Sequence, residues 1–139
     1  MNTLALSDAS RILAGVVLLT IVAIEFGGTF LLRIVRGSVP MTDFQKSFAR
    51  AGHAHAGVLV LLSLVCLVLA DATTASGLFG WTVRIAVPLS AVLMSAGFFI
   101  SSLGRGEVTR PNGLIALVWA GAASLAYGVL TLGIALLAA

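Results

Sequence analysis

Charged side chains are nearly missing from this chain: Lys, Arg, Asp and Glu together make up 9 % of its 139 residues, where a soluble domain carries roughly a quarter. So few charges cannot cover a water-facing surface, which excludes an ordinary soluble domain. Cysteine is nearly missing too. The single Cys66 lies inside an apolar run, excludes an internal disulfide and reads as a small core residue. Catalytic signatures are also lacking: there is no nucleophile elbow, phosphate loop, HExxH zinc motif or CxxC pair, so no motif points to an enzyme. Nor is there an internal repeat, low-complexity tract or linker, and residues 1–139 read as one domain.

What the chain has is long apolar runs, with 60 % of its residues hydrophobic. A membrane-spanning helix needs about 20 mainly apolar residues, and four such stretches stand out: about Ile12 to Ile34, Ala51 to Ala70, Trp81 to Leu103, and Gly113 to Leu137. The short connections carry most of the charge and the turn formers, among them Arg36, Gly37, Pro40 and Asp43, then Asp71, Ser76 and Gly77, then Arg105, Glu107, Arg110 and Pro111. Irregular backbone cannot be satisfied in lipid, so each stretch must be a helix or a barrel strand, and barrel strands would alternate apolar with polar residues. These do not. The fold class is therefore all-α, an integral membrane four-helix bundle. The first stretch follows Arg11 as a secretory signal would, yet it continues past Glu25 to Ile34 without a small-residue cleavage pattern and is read as retained.

Basic residues near the helix ends predict orientation. Arg33, Arg36, Lys46, Arg50, Arg105 and Arg110 fall on one side, and only Arg11 and Arg84 on the other. The first side is expected in the cytoplasm, with both termini outside a bacterial inner or plasma membrane. This asymmetry, facing anionic leaflet lipids, accounts for the net charge of +3 without nucleic acid as a partner.

Thr42 and Gln45 have the spacing of a capping box, which starts the second helix near residue 42, ahead of its apolar core. Phe44, Phe48, Ala51 and His55 then share one helical face, and Lys46, Ala49, Arg50, His53 and Gly57 another. In the last helix, small residues recur every four positions at Asn112, Ala116, Ala120, Ser124 and Gly128, the pattern of a close helix–helix contact. Gly97 and Ser101, or Ala23 and Gly27, are candidate facing positions. Trp81 reads as an interface anchor and Trp119 as packing or lipid contact. Pro88 and the Gly27–Gly28 pair are candidate bends.

Ionisable groups at membrane depth need explaining. Glu25 precedes Arg33 by eight residues, which puts it about 12 Å deeper at about 1.5 Å per residue. There an ionised carboxylate must face the interior, find a partner or take up a proton. His53 and His55 approach the same depth from the same side, where Ser101 and Ser102 end the third helix and Asn112 opens the fourth. Polar residues of all four helices are thus expected in one half of the membrane, lining a site with Glu25, His53 and His55 as candidate metal ligands. Residues two apart on a helix point about 200° apart, so the two histidines cannot hold one ion together. His53, with Ala49, Gly52, Ala56 and Gly57 around it, is expected to face inward. His55 is left for another helix, a second subunit or a second cofactor.

The run Ala49-Arg50-Ala51-Gly52-His53-Ala54-His55-Ala56-Gly57 resembles the histidine-bearing helix of small proteins related to the haem-copper oxidase catalytic subunit. It is also similar to small bacterial four-helix membrane proteins that carry a Gly-His-Ala-His-Ala-Gly run. The resemblance covers those few residues and implies an axial haem ligand at His53 or His55. The chain departs from the oxidase in having far fewer helices and no further histidines for a copper centre, so oxygen reduction by this chain alone is not implied. Four readings stay open: a haem- or metal-binding redox subunit; a proton- or ion-coupled transporter or channel with Glu25 as relay; an accessory subunit of a larger complex or a homo-oligomer; and a buried polar pair acting only as interhelical glue.

Overall fold

In the computed structural model, which describes residues 5–139, several helix ends fall where local chemistry satisfies free backbone groups. The elements are α1 (Asp8–Val35), α2 (Asp43–Ala70), α3 (Gly77–Ser101) and α4 (Ala116–Leu137), the last preceded by a single 3-10 turn, Gly113–Ile115. All four, α4 with its leading turn, are long and apolar enough to cross a membrane.

Helix α1 starts earlier than its apolar run, because the Ser7 hydroxyl accepts from the Ser10 amide at 3.2 Å and Asp8 in the first turn pairs with Arg11 at 3.0 Å. It stops in a Schellman motif. Gly37, at φ +73°, lets its own amide reach the Ile34 carbonyl and the Ser38 amide reach that of Arg33, both at 3.0 Å. The capping box of α2 is formed in both directions: the Gln45 amide donates to Thr42 Oγ1 at 3.2 Å, and the Thr42 amide to Gln45 Oε1 at 3.1 Å. Helix α3 begins at Gly77, a turn before Trp81, and runs unbroken through Pro88. It ends at Ser101, because Asn112 captures its last carbonyls, the backbone amide taking Ser101 O at 2.8 Å and the side chain Ile100 O at 3.1 Å.

Helix α3 is the centre of the bundle, packed along α2 on one side and α4 on the other; α1 leans mainly on α2, and α1 and α4 do not meet among the described residues. The α3–α4 contact is close because glycines supply it. A methyl added at Gly97 would lie 2.7 Å from the Val118 amide nitrogen, and one at Gly121 would lie 2.8 Å from that of Met94. Ser124 donates across to Ala86 O at 2.8 Å, and Gly128 faces Val87. Within the chain only part of the four-residue stripe is in contact: Ser124 and Gly128 meet α3 together with Gly121 and Leu132, while Ala116 and Ala120 are exposed. The reason is geometric. A stripe of period four drifts around a helix of 3.6 residues per turn, whereas steps of three and four hold one face.

Candidate functional site

Helices α1 and α3 stand apart on either side of α2, leaving a cleft of about 410 Å³ whose floor is His53, Ala56, Val60 and Ser63. Its walls are apolar, with Val16 and Ile24 on α1 and Pro88, Leu89 and Val92 on α3. Val16, Leu89 and Val92 also remain exposed, so the cleft opens sideways on the surface that faces the membrane. Phe99 closes the end nearer the basic loops. Its ring crosses α2 at Gly52, where a methyl would lie 2.9 Å from Phe99 Cε2.

Two polar groups in this cleft are without partners. The Ser95 Oγ is buried and has no hydrogen-bond partner among the described residues. Its neighbours are satisfied locally: Thr20 Oγ1 donates to Val17 O at 2.6 Å and Ser63 Oγ to Leu59 O at 2.6 Å. The His53 ring lies along the glycine pair of α1, where a methyl at Gly27 would be 3.6 Å from Nδ1 and one at Gly28 3.7 Å from Nε2. Among the described residues the only histidine hydrogen bond belongs to His55, so both His53 nitrogens are open. The depths agree as well. Gln45 Nε2 donates to Ser102 O at 3.1 Å, setting a common level for α2 and α3; from there His53 is about 12 Å along α2 and Ser95 about 10 Å back along α3.

His55 occupies the other face. Its Nδ1 lies 2.8 Å from Ala51 O; a carbonyl can only accept, so Nδ1 carries a proton in this bond. The ring sits 4.9 Å from Phe98, which meets Phe48 edge-on at 5.5 Å, and Phe48 lies 4.2 Å from Phe44. The two histidines therefore serve different surroundings.

Glu25 does not join either of them within one chain. It is exposed on α1 between the exposed Val22 and Phe26, and the ion pairs among the described residues are Asp8–Arg11, Asp43–Lys46 and Asp71–Arg84. No three His, Cys, Asp or Glu side chains among the described residues gather where they could hold one metal ion. Among the described residues Glu25, His53 and His55 therefore do not come together around one bare ion. Ser101, Ser102 and Asn112, expected to line the site, have partners at the end of α3 instead: both serine hydroxyls donate within their own helix, at Phe98 O and Phe99 O, and Asn112 donates to Ser101 O and Ile100 O. They sit near the loops, short of the histidine level.

The polar cluster that sequence reasoning missed is at the opposite end. Arg84 Nη2 meets Asp71 Oδ1 at 2.7 Å with both side chains only 11 % exposed. Ser10, fully buried, donates to Asp71 Oδ1 at 2.9 Å and accepts from Arg84 Nε at 3.1 Å. Ser7 adds two bonds to the same carboxylate, each 2.9 Å. Burial alone pushes the Asp71 carboxyl up, but the Arg84 guanidinium and the serine bonds outweigh it and hold the group below the ordinary carboxylate range. In the sequence Asp71 belongs to a loop and Arg84 to a helix end, and their spacing of thirteen residues across a turn is the signal that pairs them.

Comparison with known protein families, with curated proteins and with solved structures finds no match to this chain, and its function is to be argued from the cleft itself.

Proposed function

We propose that this chain is a small integral membrane subunit that holds a flat, lipid-soluble group in the α1–α2–α3 cleft, with His53 as its polar anchor. The carrying observation is the pairing of an open imidazole with the unpartnered Ser95 hydroxyl at one depth in an otherwise apolar cleft. An unmade hydrogen bond in so apolar a setting costs about 1–3 kcal/mol, which a ligand with one polar edge recovers. The volume lies in the ordinary range for small-molecule sites, and sideways opening suits entry from the bilayer. Haem is the group that the resemblance of residues 49–57 points to; His53 would hold it by its imidazole in the apolar slot, and it would supply redox chemistry there. The test is the visible spectrum, oxidised and dithionite-reduced, of protein purified in mild detergent, with metal content and organic extract analysed on the same sample. A Soret band lost in His53→Ala and kept in His55→Ala is expected. A colourless protein whose extract holds no stoichiometric small molecule overturns the reading.

Glu25 favours an addition to this reading, assembly into a homo-oligomer or a larger membrane complex, because a carboxylate exposed on α1 at membrane depth is costly unless another chain covers it. Glu25→Gln is expected to change the assembled mass of the detergent-solubilised protein while leaving its helix content intact; a wild-type monomer in gentle lipid nanodiscs would refute it. We place the basic loops in the cytoplasm on their charge, and a periplasmically active reporter fused after Ala139 is expected to be active; an inactive one reverses the orientation.

A further inference from the structure

Where α1 ends and α2 begins, a second hollow of about 390 Å³ opens, with Leu31, Ile34, Val39 and Met41 in its walls and Lys46 and Arg50 at its edge. We propose that it seats an anionic phospholipid, the phosphate on the two cations and the upper acyl chains against the apolar wall. Lys46 and Arg50 are four residues apart on α2 and so project from one face, one turn above the other. Neither is committed elsewhere. Lys46 pairs at 3.1 Å with an Asp43 side chain that is 99 % exposed, an arrangement open to water and worth little, and Arg50 makes no ion pair or hydrogen bond among the described residues. Of the carboxylates nearest in sequence, Asp43 touches Lys46 only from a fully hydrated position, where an arriving phosphate can displace it, and Glu25 lies more than a turn beyond Leu31, deeper along α1. Arg33 and Arg36, exposed on the same chain end, add positive field. A free phosphate would use the cations alone; the wall of leucine, isoleucine, valine and methionine side chains beneath them has a use only for a molecule with tails. The site lies at the basic end of the bundle, the level of headgroups.

The experiment is native mass spectrometry of the full chain in mild detergent, titrated separately with phosphatidylglycerol, phosphatidylcholine and inorganic phosphate. Retention of phosphatidylglycerol over phosphatidylcholine is expected, with affinity falling about fivefold in Lys46→Gln or Arg50→Gln and about thirty-fold in the double variant. Arg105→Gln, on the loop after α3, is expected to bind as the native chain does. Circular dichroism confirms that the variants, all at exposed or half-exposed positions, remain helical. Equal binding of the two lipids, an unchanged double variant, or displacement of phosphatidylglycerol by millimolar inorganic phosphate would each overturn the proposal.

Discussion

Replacing Gly121 by alanine tests the close contact between α3 and α4. The new methyl would fall 2.5 Å from Met94 Cγ and 2.8 Å from the Met94 amide nitrogen. The methionine side chain can swing away, but the backbone nitrogen cannot, so restoring ordinary contact at 3.4 Å moves α4 outward by about 0.6 Å and loosens its neighbours Gly97–Val118 and Gly128–Val87. Overpacking of this kind costs about 1–3 kcal/mol. Against it stands the better helix propensity of alanine, at most about 1 kcal/mol. The expected net loss is about 1–2 kcal/mol, a five- to thirty-fold rise in the open population. Cys66 reports it directly: it is the only cysteine, 5 % exposed, and clustered with Val83, Val87 and Leu132 of α3 and α4, so its labelling by a thiol reagent in detergent measures separation of these helices. Gly133→Ala is the control, since nothing lies within 4 Å of its added methyl, and it is expected to label like the native chain or more slowly. Equal labelling of the Gly121 and Gly133 variants would refute the close α3–α4 packing.

Acid should weaken the other end of the bundle. Because Asp71 titrates below its unfolded value, near 3.9 for an ordinary aspartate, its contribution is fully present above about pH 4 and lost as pH falls through the folded value. Resistance to sodium dodecyl sulfate is expected to decline there in the native chain and not in Asp71→Asn, which starts weaker by about 3 kcal/mol because it leaves Arg84 buried and unpaired; an acid dependence that survives in the variant would contradict the assignment. Ser95→Ala removes a hydroxyl without a partner, so the ligand-free protein is expected to gain about 1 kcal/mol in the same assay while retaining less of whatever co-purifies in the cleft. Loss of stability would show that Ser95 is satisfied in the folded protein.

The helices are legible in the sequence because lipid removes the alternatives: a run near 20 residues with charged ends has one backbone solution. Local caps are legible where one side chain acts over three residues, as Thr42 with Gln45 does. The Schellman ending at Gly37 is of the same range, but a glycine in a loop marks many turns and does not by itself specify this one. What hydropathy cannot convey is rotation about each axis, since an apolar residue suits lipid and core equally. Glu25 shows this most sharply. Its depth follows from residue counting, but its facing outward depends on α1 touching only α2 over most of its length, and nothing in its own helix states that. The opposite facing of His53 and His55 does follow from their spacing, because it is an angle within one helix. Ser95 carries no sequence signal at all: its interest comes from a hydrogen bond left unmade, which only neighbours can reveal.

These rotations divide the bundle into a rigid side and a yielding one. On the rigid side α3 and α4 meet backbone to backbone, so any change of spacing is resisted by peptide groups. On the other side, Ser10, Val17 and Ile34 are the only buried residues of the 28 in α1. Its ends are fixed, by the Ser7–Ser10–Asp71–Arg84 cluster at one and the Schellman turn and short loop at the other, while its middle rests on the His53 ring through Gly27 and Gly28. The cleft lies along that middle stretch. A group entering it, as proposed above, would exchange places with lipid and not with packed side chains, and α1 could give way by a fraction of an ångström without breaking a protein hydrogen bond, since the Thr20 and Thr29 hydroxyls bond within their own helix. Changes on α4 are therefore expected to act on the fold through α3 and changes at His53 or the glycine pair on the cleft, while Ser95, whose hydroxyl is unpartnered among the described residues, bears on both.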